Sequence, residues 1–311
     1  MGGAVPIEER GDRQIYPGWD KLKYLFVFGD SYTTTGFNLT NGSPLPSSGN
    51  PMGNPPWPGR TSSNGPNWAG YLTTTFNKSE LLTYNLAYGG ATINSTLVKP
   101  YLPTVLSFAE QVQTLFLPNL SPRTPTALTP AWKSENSLFM IWLGVNDIGN
   151  SYRNGDYANF HETLMEEYFR IVEELYSSGA RNFLFLNVPP IDRSPLTMGQ
   201  GEQAVGLQRE ALGSYNCTLE ERVRGFKRTH GDAYTKVFDA SRVFTRILDR
   251  PAGFGIKNTT AYCEQYENGT PAWDTYYPEC GVKVDEYFWL NSLHPTWPVH
   301  KVLAEEIAKA L

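Results

Sequence analysis

The chain of 311 residues is poor in cysteine, histidine and charge. It carries three cysteines and four histidines, and Asp, Glu, Lys and Arg together make up 18% of it. No two cysteines form a C-x-x-C pair, which excludes zinc ribbons and thioredoxin-like redox chemistry. No apolar run reaches 18 residues, which excludes a helical membrane span. With 26 basic and 31 acidic side chains the formal charge is −5, without the cationic excess that nucleic acid or an anionic membrane surface requires. What is present is apolar and loop-forming. Hydrophobic residues make up 40% and aromatic residues 14%, ample for a core, while 28 glycines and 23 prolines imply long ordered loops. The length allows one large or two ordinary domains.

Eight Asn-X-Ser/Thr sequons begin at Asn38, Asn41, Asn77, Asn94, Asn119, Asn216, Asn258 and Asn268. This is more than the Asn, Ser and Thr content predicts by chance, and it favours a glycosylated, secreted protein. Asn41 is discounted because Pro44 follows its Ser, and Asn94 because it falls near a candidate site. In an oxidising compartment Cys263 and Cys280 are expected to close a loop, leaving Cys217 free. Met1-Gly2-Gly3-Ala4 has neither a basic n-region nor an apolar h-region and reads as a mature terminus.

Short apolar runs predict strands over Tyr24–Phe28, Leu81–Leu86, Ser137–Leu143, Asn182–Val188 and Thr235–Phe238, each bounded by Gly, Pro or a polar turn. Helical spacing is clear from Asp156 to Ser178, with Gly179 as the stop. Residues 202–229 predict a charged, mostly exposed helix. A last helix begins near Pro298, with Thr296 as its N-cap. Residues 38–68 read as one long polar loop and 250–290 as an irregular aromatic segment. Apolar strands alternating with helices imply a parallel sheet covered on both faces. The expected organisation is α/β: an N-terminal extension over 1–20, then one three-layer domain over 21–311 with about five parallel strands and long inserted loops. Such sheets carry their sites beyond the carboxyl ends of the strands.

Three polar clusters fall there: Gly29-Asp30-Ser31, Gly89-Gly90 and Gly144-Val145-Asn146-Asp147. A serine directly after the first strand is expected at a strand-to-helix turn, its hydroxyl facing the crevice and nearby main-chain N–H groups free to bind an anion. It needs a base. His161 and His300 lie within helices and His230 at a helix end. His294 alone stands in a turn, Asn291-Ser-Leu-His-Pro-Thr296. Asp30 and Asp147 read as structural, and Asn146 either donates into the site or bonds its own loop. Trp57, Trp68 and Tyr32 either line a sugar-sized cleft or pack their loops.

In order and spacing, Phe28-Gly-Asp-Ser-Tyr-Thr33, Gly144-Val-Asn-Asp147 and Ser292-Leu-His-Pro-Thr296 resemble the GDSL, or SGNH, hydrolases, and Asn85-Leu-Ala-Tyr-Gly-Gly-Ala91 resembles that family's glycine block. Phe28–Asn38 is most similar to fungal carbohydrate acetylesterases of this superfamily, of the carbohydrate esterase family 16 type. The resemblance implies a flavodoxin-like fold, Ser31 as nucleophile and His294 as general base. It also implies an oxyanion hole from the N–H groups of Ser31 and Gly90 and the side-chain amide of Asn146, with no metal or cofactor. One position departs from the family pattern: Asn291 stands where an Asp is usual. An amide oxygen can orient the imidazole but cannot stabilise imidazolium by charge. Either Asn291 orients His294, or another acceptor does, or the site is impaired. The expected function is a secreted serine esterase acting on short acyl esters, acetyl groups of sugars or oligosaccharides above all. The alternatives are a GDSL lipase or phospholipase, and a carbohydrate-binding pseudoenzyme.

Overall fold

The computed structural model describes residues 16–40 and 42–311. The sequon at Asn41 and most of the expected N-terminal extension therefore lie outside the described residues. Trp19 is buried and its indole N–H donates to the Phe76 carbonyl at 2.9 Å, while Tyr16 stacks on Tyr234. The packed domain thus begins before residue 21.

Five parallel strands form the sheet: β1 Tyr24–Gly29, β2 Leu82–Asn85, β3 Ser137–Trp142, β4 Asn182–Leu186 and β5 Tyr234–Phe238, in the order β2-β1-β3-β4-β5. Helices intervene: α1 Trp68–Thr74, α2 Phe108–Glu110, α3 Leu117–Leu120, α4 Val145–Ser151, α5 Tyr157–Ser178, α6 Pro195–Met198, α7 Glu202–Thr229, α8 Ala240–Asp249 and α9 Trp297–Ala310. A π-helical stretch, Gln111–Phe116, joins α2 to α3.

The pleat assigns the two faces. Register pairs Phe26 with Phe139 and Phe139 with Phe183, so these three rings share one face. They meet Phe116 of the π-helical stretch and Phe226 of α7, while Phe185 on the same face meets Tyr168 of α5. Trp142 has the opposite parity to Phe139 and packs against Trp68 of α1 and Phe244 of α8. Helix α9 packs on α1 and α8, completing that second layer. The core is the sheet between these two layers.

Two expectations need correction. No helix follows Ser31: after β1 the chain makes a single turn and enters the long loop, whose end at Trp68 is the start of α1. Helix α7 is also not mostly exposed. It buries Ala204, Ala211, Tyr215, Leu219, Val223 and Phe226 against α5 and the sheet, since its charges occupy only one face.

Candidate active site

In a 2-1-3-4-5 sheet the connections out of β1 and β3 leave in opposite directions, opening a crevice between their carboxyl ends. Ser31 follows β1 and Asn146 follows β3, so both flank this crevice.

The turn carrying Ser31 is held from four directions. Asp30 accepts main-chain bonds from Thr33 and Thr34 on its carbonyl and one from Tyr32 on its carboxylate. The Asn67 amide donates to the carbonyls of Thr33 (2.7 Å) and Thr34 (2.9 Å), and the Asn85 amide to Thr33 (2.7 Å). The buried Gln111 side chain accepts from the Gly29 N–H at 3.1 Å and donates to the Gly29 carbonyl at 2.8 Å, pairing the strand end where β2 has stopped. Gly29 must be glycine, because a Cβ there would sit 2.7 Å from the Thr33 hydroxyl and 2.9 Å from the Trp142 carbonyl. Asn67 is readable as an N-cap of α1, since its carboxamide oxygen accepts from the Gly70 N–H. Nothing local marks Gln111 beyond an amide at a buried position of an apolar helical pattern.

The histidine arrives on the loop before α9. That loop is tied by Trp289 pairing with Pro295, by the Leu290 N–H on the His294 carbonyl, and by the Thr296 hydroxyl on the Tyr287 carbonyl. Thr296 occupies the N-cap position, but its side chain serves this loop and not the helix. His294 Nε2 lies 2.8 Å from Ser31 Oγ, and its Nδ1 lies 2.9 Å from Asn291 Oδ1. The main-chain N–H groups of His294 (2.9 Å) and Leu293 (3.1 Å) also donate to Asn291 Oδ1. Two N–H donors identify that atom as the carboxamide oxygen. It can only accept, so Nδ1 carries the proton and Nε2 is left to accept from the serine hydroxyl. Burial pushes the imidazole pKa down to about 4, so the ring is a neutral base at pH 7. Glu286 is engaged by Lys257 and by the Lys283 N–H, away from the ring.

Asn146 is half-buried, and its amide donates to the Ala91 carbonyl at 2.9 Å, which leaves its second N–H for the crevice. Gly144, at φ 124°, sets the turn; a Cβ there would lie 2.5 Å from Val188 and 2.6 Å from Tyr215. Gly90, at φ 82°, lies under the Tyr101 ring, 2.3 Å from where a Cβ would stand. The main-chain N–H groups of Ser31 and Gly90 meet no acceptor among the described residues. Asp30 and Asp147 are fully buried, each with one unpartnered carboxylate oxygen, and burial pushes both up to about 7, with Asp147 adding to the effect on Asp30.

Tyr32 and Trp68 do not line a cleft. Tyr32 is 1% exposed and its hydroxyl donates to the Leu293 carbonyl at 2.6 Å. Trp68 is fully buried in the core, with its indole N–H on the Thr33 hydroxyl. The sequence leaves core and cleft equally open for such aromatics, and apolar burial decides for the core. Trp57 is exposed. The cleft beside His294 has a volume of about 630 Å³ and is walled by Arg60 and Asn64 on one side and by Glu267, Asn268, Thr270 and Trp273 on the other. Asn64 clamps the two walls together, accepting from the Thr270 N–H at 2.7 Å and donating to its hydroxyl at 2.8 Å. Trp273 escaped the reading of the sequence because it sits in the irregular segment.

Cys263 and Cys280 form a disulfide, and Cys217 is an exposed free thiol. Asn38, Asn77 and Asn268 are exposed. Asn216 drops from the glycan candidates: it is half-buried within α7 and its amide pairs with both the N–H and the carbonyl of Val188 at 2.9 Å. Asn94, Asn119 and Asn258 are half-buried, with their amides bonded to Glu167 and Thr96, to Leu115, and to Thr260 and Ala261. Among the described residues no helix is long and apolar enough to cross a membrane.

The chain is 38% identical over 289 residues to an acetylesterase of Thermothelomyces thermophilus, covering 93% of this chain and 88% of that protein. It is 23% identical to an acetylesterase of Hypocrea jecorina, over 92% and 88% of the two. An acetylxylan esterase of Geobacillus stearothermophilus shares the fold at a TM-score of 0.50 and 12% identity, over 92% of this chain and 93% of that one. The family profile of GDSL-like lipases and acylhydrolases matches residues 25–307, so the chain, with its serine and amide at strand ends and its histidine on the loop before α9, belongs to that family and is a carboxylic ester hydrolase.

Proposed function

We propose that this enzyme is a secreted acetylesterase that removes acetyl groups from sugars or oligosaccharides through an acyl-Ser31 intermediate. The observation that carries the chemistry is the unbroken chain from Ser31 Oγ through His294 to Asn291 Oδ1, at 2.8 and 2.9 Å. Ser31 Oγ attacks the ester carbonyl and its proton passes to Nε2. The oxyanion forms among the N–H groups of Ser31 and Gly90 and the free N–H of Asn146. Collapse breaks the bond to the alcohol oxygen, which takes the proton from Nε2. Water then repeats the sequence on the acyl-enzyme and releases acetate. Asn291 holds the tautomer throughout, so the neutral amide is a working partner and the pseudoenzyme reading loses its motive.

The acetyl preference is supported by the 38% identical relative. A sugar as the alcohol is supported by the cleft, whose walls combine amide and hydroxyl groups and the charged Arg60 and Glu267 with one exposed indole face, Trp273. Secretion is supported by the disulfide and by exposed sequons at Asn38, Asn77 and Asn268. One observation favours the lipase reading: exposed Tyr101 (71%), followed in the chain by exposed Leu102 (49%), stands over Gly90, where an acyl chain would pass.

Rates on 4-nitrophenyl acetate, butyrate and octanoate, together with acetate release from acetylated xylo-oligosaccharides, test these readings. Fastest turnover of the acetate ester, acetate release from the sugars, and loss of both in Ser31→Ala with unchanged thermal melting are expected. Preference for octanoate would give the lipase reading, and activity surviving Ser31→Ala would overturn the mechanism.

A further inference from the structure

Trp273 lines two cavities at once. One is the cleft beside His294, and the other is a second cavity of about 420 Å³, bounded also by Trp57, Tyr71, Asn50, Thr74 and Thr75. Both volumes fall in the range of ligand-binding pockets.

The two cavities differ in chemistry. The cleft beside His294 carries Arg60 and Glu267, whereas no charged side chain lines the second cavity. Its walls are indole, phenol, hydroxyl and carboxamide groups, with the apolar side chains of Pro51, Met52 and Pro66 between them. That combination suits a neutral polyhydroxylated ring, which offers C–H faces to aromatic carbon and hydroxyls to short polar side chains.

Both tryptophans are exposed yet anchored. Trp57 is 42% exposed, and the edge of its six-membered ring is seated on Gly70 of α1, 2.8 Å from where a Cβ would stand. Trp273 is 41% exposed, and its carbonyl accepts from the Trp297 indole N–H at 2.9 Å. Exposed aromatic faces on fixed supports bind with little loss of conformational freedom.

From this juxtaposition, which rests on the sugar-ester reading above, we propose that the Trp57–Trp273 cavity is a remote subsite. It holds a neutral sugar unit of the same oligosaccharide whose acetylated unit lies at Ser31. The enzyme is then built for chains: affinity accrues from a unit that is not deacetylated, and longer substrates are preferred.

The test compares kcat/KM for acetylated xylobiose and acetylated xylohexaose in the wild type, Trp57→Ala and Thr75→Arg, with thermal melting of each. Thr75 is an exposed residue at the end of α1, so the arginine obstructs the cavity without entering the core. The hexamer should exceed the dimer by about tenfold in the wild type, and each variant should bring the ratio close to one. A wild-type ratio near one, or a ratio that both folded variants retain, overturns the subsite while leaving the sugar-ester reading in place. Hydrolysis of 4-nitrophenyl acetate with neither sugar ester turned over overturns the sugar-ester reading and the subsite with it.

Discussion

The Tyr32 hydroxyl donates to the Leu293 carbonyl at 2.6 Å, joining the residue after Ser31 to the residue before His294. Two segments separated by most of the chain are thereby locked next to the atoms that exchange a proton in the proposed mechanism. Tyr32→Phe keeps the ring and removes the bond. A net hydrogen bond contributes about 0.5–1.5 kcal/mol, so kcat should fall up to about tenfold with KM little changed. Steady-state kinetics on 4-nitrophenyl acetate read this directly, and an effect confined to KM would contradict it.

Asn146 is held by Ala91, which leaves its other N–H for the oxyanion of the proposed mechanism. Asn146→Ala should lower kcat by roughly 10²–10³ with KM nearly constant, as for other lost oxyanion donors. Asn146→Asp replaces the donor by an acceptor and should be no better. A rise in KM alone would assign Asn146 to substrate binding.

Asn291 Oδ1 gathers three N–H donors, and an aspartate oxygen would accept the same three. Its negative charge would favour imidazolium, so Asn291→Asp should raise the His294 pKa from about 4 and move the acid limb of kcat/KM to higher pH. Because imidazolium forms in the transition state, kcat should rise as well. Unchanged pH profiles would show that charge at position 291 does not reach the ring.

Asp147 concerns stability. Burial raises its carboxyl from 3.8 to about 7, so the folded state holds a proton that the unfolded chain has released over that interval. Stability should therefore fall as pH rises from about 4 to about 7 and level off above. Asp147→Asn keeps the acceptor for the Ile93 N–H but cannot ionise. Its Tm should exceed that of the wild type by several degrees at pH 8 and match it near pH 4. Asp30, coupled to Asp147 and raised in the same way, leaves a residual slope in the variant.

How much of this was legible in the sequence depends on what each residue's neighbours decide. Strands β1, β3 and β4 announced themselves because a strand buried on both faces must be apolar throughout. Ser31 and Asn146 stood out because each follows such a strand, and His294 because it alone among the histidines stands in a turn. The device that holds Ser31 was hidden. Gln111 meets Gly29 only because a π-helical stretch lies beside β1, and no local pattern encodes that meeting. Tyr32 and Trp68 were open to two readings because an aromatic in a loop has the same spacing whether it faces solvent or core. Trp273 was invisible for the opposite reason: its segment has no periodicity at all, and its place on the cleft comes from tertiary contacts, Trp297 on its own carbonyl and Asn64 on nearby Thr270.

The cleft wall from Glu267 to Trp273 lies inside the loop closed by Cys263 and Cys280, and that loop rests on a small apolar cluster of its own, Tyr266, Cys280, Val284, Tyr287 and Leu290, separate from the main core. A subassembly of this kind opens with a lower free energy than the sheet beneath it. Warming or thiol treatment should therefore blunt discrimination among large substrates while small esters are still cleaved at nearly full speed. An assay with a small chromogenic ester would miss that loss on the proposed substrate entirely.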